Sequence, residues 1–349
     1  MRRIVVDAED PGEPTRDHPS KHPSKLGEAN ETKVHPKSSG GEDGNIFFVG
    51  TATTFIEWAN IRIMTDPNFL HAGDHVHLGP GVTGTRVTNP AVDLHDIPPV
   101  HFILLSHYHA DHFDQKVEGS LTRDIPIITT PHAKGCLESK GEDSFTQVEA
   151  LDTYQSMLVE IKSKGATSKK EPAIKVTAMP GKHVPPGPLS TANDILKAVP
   201  PTNGWMVELG HTTQYHHLLE GSINNVTKAA CDIIYISGDT LMCDELKEIP
   251  KIYADQKIDL MLIHLGGTTI PSPHIPLLMV TMDAKQGIEL LKLVCPDMTI
   301  PIHYDDYDVF LSPLSDFKKA VDEAGLSSKV VYLDRKDQYK FKTTWTDSS

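Results

Sequence analysis

The sequence predicts an α/β (α+β) protein in which two sheets pack face to face with helices on the outside. Three observations lead there. Short apolar or alternating runs divided by turn residues crowd the first half of the chain. In the second half, similar runs alternate with segments of helical period. No linker-like stretch divides residues 44–349. Strands this apolar need cover on both faces, and two stacked sheets flanked by helices provide it.

The elements follow in order. Residues 1–43 lack periodicity, include the tandem "HPSKHPSK" and end in "SSGGEDG". They are expected to form a flexible polar extension. "NIFFVG", "TTFIEW" and "IRIMTD" read as a meander of three strands. The Gly-, Pro- and His-rich stretch over 67–90 is a long loop, a length usually tied to function. "VHFILLS" is a buried strand and "IPIITT" another. "PHAKGCLESKG" has proline early and glycine last, as a short helix does. "FTQVEAL", "SMLVEIKS" and "AIKVTAMPG" read as strands, and 182–204 as a second long loop. "WMVELG", "YHHLLEG" and "DIIYISGD" continue the strands, and 240–256 is helical in pattern. "IDLMLIHLGG" is a buried strand and "DAKQGIELLKLVC" a helix that starts on an aspartate cap. "MTIPIHYDDYDVF" is a strand ending in a His/Asp loop, "PLSDFKKAVDEAGL" a helix and "KVVYLDR" a last strand.

Composition removes several function classes. The formal net charge is −14 and no long Lys/Arg run occurs, which argues against nucleic acid as a partner. No window is long and apolar enough for an integral membrane segment. The four cysteines are scattered and form no C-x-x-C, so neither a disulfide scaffold nor a Cys-rich zinc site is expected. The N-terminal apolar run is too short for a signal-peptide core. A cytoplasmic location is the expectation.

Of nineteen histidines, three fall within 107–112, in "HYHADH". Residues i and i+2 on an extended strand end point the same way. His107 and His109 can therefore grip one ion together. The chain then turns, so Asp111 and His112 can face a second. Neutral imidazole and carboxylate suit zinc and similar divalent ions.

This H-x-H-x-D-H run resembles that of the metallo-β-lactamase-fold hydrolases. The resemblance extends over about residues 44–335. It is nearest to the branch that holds the ascorbate-6-phosphate lactonase and N-acyl-phosphatidylethanolamine phospholipase D, through "NIFFVGTATTFIEWANIRIMTDPNF" and its T-D-P turn. It implies a four-layer αββα sandwich with the metal site at one edge of the sheets. It also implies three further ligands: His183 in "AMPGKH", Asp239 in "YISGDT" and His303 in "IPIHYDD". One ion would take His107, His109 and His183. The other would take Asp111, His112 and His303, with Asp239 between them. Asp66 matches the family's turn that supports ligand histidines. Oxygen-reducing diiron relatives carry Glu at position 109, so His109 favours zinc, with manganese the alternative.

Two such cations can hold a hydroxide between them and polarise a carbonyl or phosphoryl oxygen. Asp111 is then expected to orient the hydroxide and take up a proton. His264 and Tyr304, beside strand ends, are candidate catalytic groups, and His71, His77 and His274 candidate substrate contacts. His211, His216 and His217 read as structural. The expected function is hydrolysis of a small ester, lactone or amide. A phosphodiesterase resembling phospholipase D is the alternative, although the acidic chain shows no basic amphipathic helix. A non-enzymatic metal scaffold would show a broken ligand set, and none of the seven ligands is missing. Homo-oligomerisation is left open.

Overall fold

The computed structural model describes residues 1–17, 22–79, 82–162, 171–184, 199–212, 215, 232–272 and 275–344. One sheet has seven strands, in the spatial order Arg2–Asp7, Ser156–Lys162, Pro172–Pro180, Asn203–His211, Asp232–Ile236, Leu260–His264 and Met298–Ile302. The other has eight: Val148–Ala150, Ile127–Thr129, Phe102–Leu104, Ile61–Thr65, Thr53–Trp58, Gly44–Gly50, Gln338–Phe341 and Thr32–Val34.

Side-chain alternation builds the layers. Phe48, Ile56, Ile63, Phe102 and Leu104 of the second sheet pack against Val159, Val176, Val207, Ile234, Leu262 and Ile300 of the first. Their neighbours point outward. Phe47, Phe55, Met64 and Ile103 meet Val117 and Leu121 around helix Gln115–Ser120 and Ala133 and Leu137 of helix Pro131–Glu138. Tyr235, Met261 and Ile263 meet Leu290 and Leu291 of helix Ala284–Val294 and Phe317 and Val321 of helix Leu314–Glu323. The result is the expected αββα sandwich. Asp114, Thr130 and Asp283 cap the first three of these helices through side-chain oxygens, as the sequence suggested for Asp283.

The topology gathers chemistry at one edge. Strands Asp232–Ile236, Leu260–His264 and Met298–Ile302 are mutually parallel, and so are Ile61–Thr65, Phe102–Leu104 and Ile127–Thr129. The segments leaving their C-terminal ends carry Asp66, 106–112, Asp239 and His303, and His264 is the last residue of its strand. Strand Pro172–Pro180 runs antiparallel to its neighbours, and His183 follows shortly after it.

Four expectations change. Residues 1–43 are not free of structure. Arg2–Asp7 adds a parallel strand to Ser156–Lys162, and Thr32–Val34 pairs with Gln338–Phe341. Between them, His22 is buried against the Ile97 carbonyl and Thr15, and Arg16 holds Gly119 and Asp143. The β-branched Ile4-Val5-Val6 finds an open sheet edge there, a contact that local composition does not reveal. The long loop at 67–90 contains a hairpin, His75–Gly79 with Val82–Thr85. The helical pattern over 240–256 is realised only as a 3₁₀ turn, Asp244–Glu248, and the short helix Ile249–Ile252. The last strand is Gln338–Phe341 rather than 329–335, where Val330 makes only a bridge to Thr299. The predicted strand over 215–221, apart from Tyr215, lies outside the described residues, as does most of the loop over 182–204.

Candidate metal centre

The loop after strand Phe102–Leu104 is held by the turn after Ile61–Thr65. Asp66 Oδ1 accepts the Ser106 backbone N–H at 2.6 Å. Asn68 Nδ2 donates to the Asp111 carbonyl at 3.0 Å, and Asp114 Oδ2 accepts the Phe69 N–H at 2.6 Å. Within the loop, the His112 and Phe113 N–H groups both reach the His109 carbonyl. Asp66 (φ +34°) and His303 (φ +61°) occupy the left-handed region, which costs on the order of 1–3 kcal/mol at a non-glycine residue. Gly238 (φ +61°) makes the turn that presents Asp239. A Cβ at Gly238 would stand 2.3 Å from the Asn203 carbonyl oxygen.

Among the described residues the ligand-type atoms converge in three groups: two share Asp239, and a third, Asp66, His112 and His264, shares His112 with one of them. Those of His107, His183 and Asp239 lie within 4.8 Å of one another, and so do those of Asp111, His112, Asp239 and His303. His109 lies beside both. Its ring stacks on His107 at 5.6 Å, and its Nδ1 is 2.7 Å from Asp111 Oδ1. All these residues are buried except His109, whose side chain is 17% exposed and forms the accessible side of the set.

The imidazoles are oriented from behind. His183 Nδ1 faces the Val280 carbonyl at 3.0 Å and His303 Nδ1 the Leu265 carbonyl at 2.8 Å. His107 Nδ1 is 2.9 Å from Ser106 Oγ, and His112 Nδ1 is 3.2 Å from Asp66 Oδ2. The second nitrogen, Nε2, of His107, His109 and His183 makes no hydrogen bond although it is buried, whereas Nε2 of His112 faces Asp239 Oδ2 at 3.1 Å and that of His303 faces Asp111 Oδ2 at 3.6 Å. Each such atom costs about 1–3 kcal/mol unless something satisfies it. A divalent cation suits imidazole nitrogens backed by carbonyl and carboxylate groups, so the residues present fit the metal that the sequence implies.

Charge is arranged accordingly. Burial favours neutral carboxyls, yet His109 and His112 hold the Asp111 carboxyl well below the usual range. Burial acts the same way on Asp239, and His303 and His112 overcome it. Burial would lower His112, but Asp239 and Asp111 lift it well above its ordinary value, and Asp239 likewise lifts His303. Burial drives His107 down, with His112 and His183 adding to it, and burial pushes His183 down to about 4.

Not every candidate reaches this site. Tyr304 turns into the core beside Phe48, and its hydroxyl donates to the Leu333 carbonyl at 3.0 Å. It is not at the ligand cluster. His264 does join the cluster: its ligand-type atom lies within 4.8 Å of those of Asp66 and His112, and it is fully buried with Nε2 3.6 Å from Asp66 Oδ2. His71 pairs with Asp93 at 2.7 Å, and His77 is exposed on the hairpin. Neither is drawn to the ligands. His274, His216 and His217 lie outside the described residues, whereas His211 closes a strand as expected.

The sequence reading missed the supporting network. Arg86 is buried; its Nη1 donates to Asn68 Oδ1 at 2.8 Å, and its Nη2 is 3.3 Å from Asp306 Oδ1. Asp306 also accepts the Thr51 N–H and pairs with Arg335, while the Thr51 carbonyl accepts the His303 N–H. The network ties the turn after Asp66 to the loop of His303. A lone arginine in a glycine-rich loop gave no local sign of this.

Comparison with known proteins agrees with this geometry. A family model described as beta-lactamase superfamily domain matches residues 61–304. A UPF0173 metal-dependent hydrolase of Nanoarchaeum equitans is 23% identical over 239 residues, covering 68% of this chain and 85% of that protein. The mitochondrial N-acyl-phosphatidylethanolamine-hydrolyzing phospholipase D of Saccharomyces cerevisiae is 29% identical over 110 residues, 31% of this chain and 23% of its own length. Among solved structures, an isothiocyanate hydrolase from Delia radicum gut bacteria superposes with a TM-score of 0.61 at 14% identity, covering 84% of this chain and 98% of the other. With its αββα layers and a candidate metal centre at the sheet edge, the chain belongs to the beta-lactamase superfamily domain family and is a metal-dependent hydrolase of the metallo-β-lactamase fold.

Proposed function

We propose that residues 44–349 form a dinuclear hydrolase domain that cleaves an ester, lactone or amide of a small molecule, with residues 1–43 docked on it. One observation carries the reading. Asp239 is the one residue shared by the group of His107 and His183 and the group of Asp111, His112 and His303, so its carboxylate stands where two cations could share it. His107, His109 and His183 would hold one cation and Asp111, His112 and His303 the other. Zinc suits this nitrogen-rich set best, and manganese is the alternative. Bound divalent cations supply Lewis-acid polarisation and a lower pKa for water.

The chain's own residues do the rest. Asp111 is kept ionised by its imidazole neighbours and is the proton acceptor of the site. Val280, Leu265, Ser106 and Asp66 fix the ring orientations of His183, His303, His107 and His112. The partly exposed His109 marks the side from which substrate approaches.

The test is metal analysis of the purified protein followed by a lactone, ester and amide panel. Protein that takes up no zinc or manganese, or takes it up and hydrolyses none of the panel, contradicts the reading. Similarity to the yeast phospholipase keeps a phosphodiesterase in view. Turnover of a chromogenic phosphodiester without turnover of lactones would establish that alternative instead. No helix among the described residues is long and apolar enough to cross a membrane.

A further inference from the structure

We infer that His264 is a positioning residue that acts on His112 through Asp66. The inference rests on the reading above, in which His112 is a metal ligand.

Strand Leu260–His264 pairs in parallel with Met298–Ile302, so His264 sits level with Ile302, one residue before His303. Its side chain is fully buried. Its Nε2 faces Asp66 Oδ2 at 3.6 Å, and the same oxygen faces His112 Nδ1 at 3.2 Å. The two rings lie within 14° of parallel with centroids 6.0 Å apart, and Asp66 joins them. The other Asp66 oxygen is fixed by the Ser106 N–H. On the far side of His264, the backbone N–H donates to Ser237 Oγ at 2.9 Å, and Nδ1 lies 3.4 Å from that hydroxyl. The Ser237 hydroxyl donates to the Gly238 carbonyl at 3.0 Å, so it is the carboxylate on the Nε2 side that favours the tautomer with its proton on Nε2.

His264 Nε2 stands 3.6 Å from Asp66 Oδ2, just beyond hydrogen-bond distance, so it supports that oxygen by packing and by the dipole of an Nε2–H group rather than by a formed hydrogen bond. A carboxylate that orients a ligand histidine works only while its own rotation is held, and such supporting contacts typically change metal affinity by about 10–100-fold. His264 completes that support. The order is Ser237, His264, Asp66, His112, then the cation.

The test uses the full-length protein with His264→Gln and His264→Leu, which fill the space with and without an N–H donor. Each is made alone and combined with Asp66→Asn. Zinc affinity is read by chelator competition, the cobalt-substituted protein by its visible spectrum, and kcat separately from KM. His264→Leu should weaken binding of the second cation on the order of 10-fold and shift the cobalt spectrum, while His264→Gln stays near wild type. In the Asp66→Asn background, His264→Leu should add less than about 2-fold, because coupled residues are not additive. Equal effects of His264→Leu in both backgrounds would overturn the inference, as would no difference between Leu and Gln. A cation found on Asp66, His112 and His264 together in an anomalous scattering map would overturn it too. Wild-type protein that binds no metal would defeat the underlying reading as well. Normal wild-type binding with an unaffected His264→Leu variant would defeat this inference alone.

Discussion

The Asp66 carboxylate joins a backbone to an imidazole: Oδ1 takes the Ser106 N–H at 2.6 Å and Oδ2 stands 3.2 Å from His112 Nδ1. The turn after one strand thereby sets both the path of the ligand loop and the direction of a ligand ring. Asp66→Asn keeps the shape and loses the charge. Zinc affinity is expected to fall about 10–100-fold with little change in thermal stability of the metal-free protein. Chelator competition on the purified variant checks this, and unchanged affinity would show that the turn only shapes the backbone.

Asp111 separates chemistry from folding. Its backbone carbonyl is held by Asn68, so the loop does not depend on the carboxylate for its path. Asp111→Asn should lower kcat by about 10²-fold or more, as removal of a general acid–base group does. The circular dichroism spectrum should stay that of the wild type. A variant with full activity would remove Asp111 from the reaction.

A pH effect is expected far from the site. Burial raises the Asp232 carboxyl to about 6 in the folded protein, beside Asp259 and against the Thr344 N–H. The unfolded carboxyl titrates near 4. The folded state therefore holds this proton more tightly, and the associated stability is full below pH 4 and lost as pH rises through 6. Asp232→Asn should stabilise the protein at pH 8, on the order of 1–3 kcal/mol, with the gain shrinking towards pH 4. Melting temperatures at the two pH values test it, and a gain equal at both would contradict the assignment.

Residues 1–31 should matter for stability. Their removal would strip the parallel strand from Ser156–Lys162, open the site of His22 and free Gly119 and Asp143 of Arg16. The melting temperature should fall by about 5 °C or more. Differential scanning calorimetry of the truncated chain decides between this and a free arm, for which nothing would change.

The fold and the candidate site were legible to different depths. Alternating Phe47 and Phe48 announced a strand covered on both faces, and the buried core bears that out on each side. Aspartate before the "AKQGIELLKLV" period announced a capped helix. These are local signals, and local physics decides them. Tyr304 and His264 were beyond that reach. Both stand at strand ends, but the turn at His303 (φ +61°) carries the chain on, and the Tyr304 hydroxyl ends at the Leu333 carbonyl. His264 points inward because Asp66 and Ser237 occupy the space around it.

The sequence by itself pointed to the reaction class and to candidate ligands, through the spacing of 107–112 and through a family resemblance that supplied His183, Asp239 and His303. Only the tertiary structure decided which of those atoms meet. Asp239 falls in two of the candidate ligand groups because parallel strands deliver their C-terminal ends to one edge. The same packing decided that Arg86 and Asp306 brace the loops, that residues near the N-terminus close a sheet edge, and that His264 stands beside Asp66 and His112. Distances between residues far apart in the chain follow from strand order and packing, and the interactions that fix them are not local.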